Sequence, residues 1–178
     1  SLHDALPIYA ALGTRPRIAA GHVPPQRLVH HRVAFAVGRA DPGDMAAVVE
    51  TEPELDSFMH HSGAGIPLLF DAGHMAFAGG DVMRVIENHH ARITHVHTKD
   101  IRRAVVDGLD RTRESFLDAV IKGAFTVPGD GSLDFEAIVK ALAAKGYEGW
   151  FVVEAEQDPV RNPPLDMARK GHRELLRV

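Results

Sequence analysis

Three apolar runs of this sequence each end on a residue able to hold a metal ion. Leu68-Leu69-Phe70 leads into Asp71, Ile93-Thr94-His95-Val96 into His97, and Trp150-Phe151-Val152-Val153 into Glu154. Carboxylate, imidazole and carboxylate together form a donor set for a divalent ion of intermediate hardness such as Mn²⁺, Co²⁺ or Zn²⁺. His74 follows Asp71 by three residues, placed to face the same pocket from the loop. Each residue also has a plainer reading. Asp71 alone would be a cap on the turn Ala72-Gly73. His95 and His97 share one strand face, and His95 is the better candidate for a hydrogen-bonded core histidine. Glu156 shares the face of Glu154 and reads equally well as a solvated rim residue, and Lys99, Asp100, Arg102 and Arg103 as a charged loop. The adjacent pairs His30-His31, His60-His61 and His89-His90 diverge in any regular structure and read as surface residues. The coincidence of one ligand class at three strand ends favours a site, because unrelated caps have no reason to fall that way.

For these residues to meet, their strands must run parallel with the carboxyl ends on one side. The apolar runs predict strands over residues 66–71, 93–97 and 150–154. Between and around them lie helical patterns. One starts at Thr51 with Pro53 in its first turn and Leu55, Phe58 and Met59 on its apolar face. Others cover 81–90, 115–122, 134–145 closed by Gly146, and 165–176. Pro128-Gly129-Asp130-Gly131 is a turn cluster. Strands that alternate with helices imply an α/β fold with a parallel sheet buried on both faces. No Gly-x-Gly-x-x-Gly follows a strand and no P-loop is present, which leaves a nucleotide-binding doubly wound sheet without support.

Composition narrows the function classes. The chain has 178 residues, 45% hydrophobic and 25% charged, enough apolar material for a globular core. A net charge of −4 argues against binding a phosphate backbone, so nucleic acid is not an expected partner. The absence of cysteine rules out thiolate ligands and a cysteine nucleophile and leaves His, Asp and Glu to hold any metal. No run reaches the roughly 20 apolar residues of a membrane span, and no basic-then-apolar signal core opens the chain, so a cytoplasmic protein without membrane partners is expected. The chain changes character near residue 44: all ten Glu and all five Lys lie at or beyond Glu50, while residues 1–44 are interrupted by five prolines. That segment, 1–44, is expected to be poorly structured apart from a strand at 32–37 and a short helix near 9–13. It reads as an irregular arm, a linker, or sequence from outside the native frame, the last favoured by the opening Ser-Leu-His-Asp-Ala-Leu-Pro-Ile. Residues 45–178 form the expected functional unit.

The motifs of that unit carry a resemblance. Leu69-Phe70-Asp71-Ala72-Gly73-His74, His95-Val96-His97-Thr98-Lys99-Asp100-Ile101-Arg102, Thr126-Val127-Pro128-Gly129-Asp130-Gly131 and Val152-Val153-Glu154-Ala155-Glu156-Gln157-Asp158-Pro159 resemble the myo-inosose-2 dehydratase family. The first three elements belong to the wider xylose-isomerase-like TIM-barrel superfamily, the last more particularly to the dehydratases. The resemblance implies a (β/α)₈ barrel that dehydrates 2-keto-myo-inositol to a cyclohexane diketone in inositol catabolism, with Mn²⁺ or Co²⁺. It implies Asp71, His97 and Glu154 as metal ligands and His74 and Lys99 as catalytic groups. It also implies Asp100 and Arg102 or Arg103 as groups that hold the substrate.

A TIM barrel takes about 250 residues, so the expected architecture is the C-terminal part of a barrel, incomplete, preceded by an irregular segment. The resemblance fails at Arg39-Ala40-Asp41-Pro42-Gly43-Asp44, where the dehydratases resemble a His-rich strand followed by Gly-Thr. Such a piece is expected to be a poor catalyst and prone to associate with copies of itself. Two other readings remain open here: a metal-dependent sugar isomerase or epimerase, which returns the abstracted proton to carbon, and a non-catalytic barrel fragment.

Overall fold

In the computed structural model the described residues are 49–178. The expectations for residues 1–44 and for His30-His31 lie outside them. The helix starts follow from side chains that satisfy open backbone N–H groups. In α1 (Glu52–His61), Glu54 reaches back to the N–H of Thr51 at 2.9 Å. Asp81 caps α3 (Val82–His89) through the N–H groups of Met83 and Arg84, Ser115 caps α5 (Phe116–Ile121), and Asp134 caps α6 (Phe135–Ala144). A last helix, α7, spans Pro164–Leu175.

The strands β1 (Leu68–Asp71), β2 (Ile93–His97) and β5 (Trp150–Val152) form one parallel sheet in the order β1-β2-β5. Its register decides the site. Asp71 lies opposite His97, and His97 opposite Val152, so the carboxyl ends of all three strands are level. Alternation then sorts the side chains. Leu68, Phe70 and Val96 belong to the core cluster that includes Leu55 of α1, Val85 and Ile86 of α3, and Leu142 of α6. Leu69, Asp71, His95, His97, Trp150 and Val152 share the opposite face, the one that would line a barrel interior. Trp150 on that face is 52% exposed.

Three features were not legible as regular structure in the sequence. Ala72–Phe77 is a helix, α2, rather than a turn, because Asp71 accepts the N–H of His74 at 2.9 Å and so nucleates it. All six of its residues are buried. The charged stretch after β2 contains a short strand, β3 (Asp100–Ile101), and a one-turn helix, α4 (Arg103–Asp107). β3 pairs antiparallel with β4 (Phe125–Thr126), with Asp100 opposite Thr126. Two-residue strands are too short to show a period. The pairing is held by Asp100, whose Oδ1 accepts the N–H groups of Ile101, Ser132 and Leu133 at 2.7, 3.0 and 2.9 Å.

Two stability measurements follow from these contacts. Asp100→Ala removes the acceptor for three N–H groups and should cost about 1–3 kcal/mol in chemical denaturation. The second concerns Glu52, which joins the starts of α1 and α3 by accepting from Arg84 and from the N–H of Asp81 at 3.0 Å. These bonds, that of Arg84 foremost, lower its carboxyl from 4.5 to about 2. A depressed carboxylate contributes stability above its unfolded value and loses it as pH falls through the folded one. Glu52→Gln should therefore be less stable than wild type at neutral pH, and the gap should close between pH 4.5 and 2. A pH-independent gap would contradict this account.

Candidate metal centre

Asp71, His97 and Glu154 meet where the three strands end. One ligand atom from each lies within 4.8 Å of the others, and all three side chains are buried. Parity explains the convergence: Asp71, His97 and Val152 are cross-strand neighbours on one face, and Glu154 is two residues past Val152. His97 Nδ1 lies 2.5 Å from Glu154 Oε2 and 3.5 Å from Asp71 Oδ2. Burial alone would pull the His97 imidazole down, but Asp71 and Glu154 outweigh it and raise it to about 9. The two oxygens aimed inward, Asp71 Oδ2 and Glu154 Oε2, are buried and, among the described residues, face the basic side chains of His74, His97 and Lys99. Buried carboxylate oxygens gathered in this way fit a cation held between them and an imidazole nitrogen.

A second group adjoins the first. Lys99, two residues past β2, is fully buried, with Nζ 3.4 Å from Asp71 Oδ2, 3.6 Å from Glu154 Oε2 and 3.4 Å from Glu156 Oε2. Its stem passes against α2 at Gly73. A methyl group there would lie 2.7 Å from Lys99 Cγ and 2.8 Å from its carbonyl oxygen, so only glycine permits the approach. His74 faces both acids: Nδ1 lies 3.1 Å from Asp71 Oδ2 and Nε2 3.1 Å from Glu156 Oε2. Burial lowers the His74 imidazole, Asp71 raises it more, and the balance is about 9. Conversely, burial pushes the Asp71 carboxyl up, but His74 and Lys99 hold it well below the ordinary carboxylate range. The ring stacks edge-on against Phe125 at 5.3 Å, which fixes its plane.

The remaining sequence candidates are placed differently. His95 sits half-buried one layer below His97, ring centroids 5.5 Å apart, its imidazole lowered by burial and then by the His97 charge. Asp100 turns one oxygen into the backbone of residues 101–133, as described above. The Arg102 guanidinium donates to Gly123 O, Phe125 O, Thr126 Oγ1 and Asp130 Oδ2, the last at 2.5 Å, and so locks β4 to the turn after it. Arg103 is exposed, and its backbone N–H donates to Ser132 Oγ. Glu156, readable from the sequence as a rim residue, is brought to His74 across 82 positions of chain. The only sequence signal for that contact was its shared face with Glu154.

Comparison with known proteins gives this geometry its relatives. Residues 40–178 match the family described as xylose isomerase-like TIM barrel, and the chain belongs to that family. The rhizopine catabolism protein MocC of Rhizobium meliloti is 47% identical over 151 residues, which are 85% of this chain and 46% of that protein. Inosose dehydratases of Clostridium perfringens and Geobacillus thermodenitrificans are each 46% identical, over 72% and 71% of this chain and 44% and 43% of theirs. The chain thus spans a little under half the length of the curated relatives it matches. Among solved structures, an IOLI protein with a binding zinc atom shares the fold with a TM-score of 0.50 at 16% identity, over 71% of this chain and 43% of that one. A fusion of a xylose isomerase-like TIM barrel with 4-hydroxyphenylpyruvate dioxygenase does so with a TM-score of 0.54 at 21% identity, over 72% and 19%.

The two histidines of β2 are separable by experiment. His97→Ala should abolish Mn²⁺ or Co²⁺ binding in isothermal titration, while His95→Ala should weaken it no more than roughly tenfold, as for a group outside the ligand set. The opposite ranking would move the centre one layer down the sheet.

Proposed function

We propose that this site belongs to a dehydratase of cyclic polyol ketones, acting on 2-keto-myo-inositol to give a cyclohexane diketone, with Mn²⁺ or Co²⁺ as the ion. The observation that carries the reading is the buried set Asp71, His97 and Glu154 with His74 and Lys99 beside it, in a chain 46% identical to inosose dehydratases over this region. A divalent ion bound by Asp71, His97 and Glu154 would polarise the ketone and acidify the neighbouring C–H.

The chain's own groups account for the rest. The reaction takes a proton from the carbon beside the ketone and expels the β-hydroxyl, which leaves as water once it receives a proton. Substrate minus water is the enol of the diketone. His74 is the group suited to the second transfer, since its ring lies beside the ligand set with Nε2 3.1 Å from the Glu156 carboxylate. Lys99 supplies a fixed positive charge where negative charge gathers on the substrate oxygen, and its burial keeps that charge undiluted by water.

Among the described residues no helix is long and apolar enough to cross a membrane. We further propose that the 178-residue chain by itself turns over poorly. Among the described residues the three parallel strands have open edges and Trp150 on the inner face is 52% exposed, and substrate contacts from further strands would be lacking. The test is diketone formation from 2-keto-myo-inositol, with and without added Mn²⁺ or Co²⁺, by this chain and by one extended upstream to the length of its relatives. Metal-dependent dehydration is expected from the longer chain only. Equal turnover by the shorter one would refute the dependence on further strands, and ketose interconversion without diketone would make the enzyme an isomerase.

A further inference from the structure

Glu156 is the ionisable residue of the centre that neither the ligand set nor the proton transfer uses. Its Oε2 lies 3.1 Å from His74 Nε2 and 3.4 Å from Lys99 Nζ. Those two nitrogens are only 3.0 Å from each other. On the far side, a single atom, Asp71 Oδ2, serves both as well, at 3.1 and 3.4 Å, and also faces His97 at 3.5 Å. That oxygen is one of the two aimed at the centre of the ligand set. An oxygen engaged by a divalent ion cannot at the same time hold two basic side chains. Among the described residues, Glu156 is the only carboxylate besides Asp71 within ion-pair distance of both His74 and Lys99.

Charge balance points the same way. Asp71, Glu154 and Glu156 contribute three negative charges, against four positive ones from Lys99, a protonated His74 and a divalent ion. Removing Glu156 would double the uncompensated positive charge in a site whose other members are buried. Glu156 differs from those members in being 30% exposed, so it is the member of the cluster that meets solvent.

We propose that Glu156 is the positioning residue of this centre: its carboxylate holds the His74 ring and the Lys99 ammonium side by side next to the ligand set and leaves Asp71 Oδ2 to that set. What the two held groups then do rests on the dehydratase reading, but the positioning is measurable without turnover. In the full chain with ¹⁵N-labelled histidine, the His74 signals are identified by their loss in His74→Gln. Glu156→Gln should move the His74 Nε2 signal away from its wild-type position, and Mn²⁺ or Co²⁺ affinity should fall roughly 10- to 100-fold, as for a group that supports a ligand without being one. Glu156→Asp, which keeps the charge on a shorter stem, should move the signal less than Gln does. A His74 signal unchanged by Glu156→Gln would overturn the proposal. So would a loss of metal affinity as deep as that of Glu154→Gln, which would make Glu156 a ligand. Failure of every version of the protein to dehydrate 2-keto-myo-inositol would count against the reaction and would leave both of these readouts standing.

Discussion

The structure depends on keeping a cluster of charges neutral while it is buried. Asp71, His97, Lys99 and Glu154 are almost wholly removed from water, and His74 nearly so. An isolated charge in such a place is too costly to persist, and removing one partner of a buried pair leaves the other uncompensated. The side chains therefore stand or fall together. Each acid faces at least one base, the bases face more than one acid, and the two oxygens that make these contacts, Asp71 Oδ2 and Glu154 Oε2, lie at a common centre. Positions suited to a cation and the folding requirement for neutrality are two descriptions of one arrangement.

Much of the local architecture serves that cluster. Asp71 does two jobs with two oxygens: Oδ1 starts α2 by accepting the His74 N–H, and Oδ2 faces the centre. The helix it starts carries His74 into the site and presents Gly73 to the Lys99 stem, where any side chain would collide. Just beyond, Asp100 and Arg102 spend their hydrogen bonds on the β3–β4 pair and the turn around Asp130, which Thr126 and Lys170 also hold. Lys99 sits between this braced segment and the sheet, so its position is fixed from both sides. A buried lysine with four flexible carbons would otherwise have little reason to remain in one place.

The sheet itself is asymmetric in what covers it. Its outer face is sealed by α1, α3 and α6 into a continuous core. The inner face carries Leu69, His95 and Trp150 in the layer below the metal candidates and Val152 level with them, with Trp150 half in water. In a closed barrel such residues fill the interior in layers contributed by every strand. The described residues supply three of those strands, in agreement with a chain that spans less than half of its relatives.

The sequence by itself determined which residue types could act and which strand faces they occupied. Apolar runs marked the strands that end on Asp71 and His97, the two-residue spacing put His95 and His97 on one face, and polar residues just ahead of apolar periods marked the starts of α3, α5 and α6. Those are local properties, set by the two-residue period of a strand and by backbone N–H groups seeking acceptors. Tertiary structure alone decided the rest. Register made three strand ends level, though nothing within a strand specifies its neighbour's offset. The antiparallel β3–β4 pair escaped notice because two residues show no period. Asp100, through one oxygen, and Arg102, indistinguishable in sequence from groups awaiting a substrate, bond to backbone far along the chain. Glu156 met His74 only because parallel strands bring residues 82 apart to one end of the sheet, a contact that packing creates and no local pattern encodes.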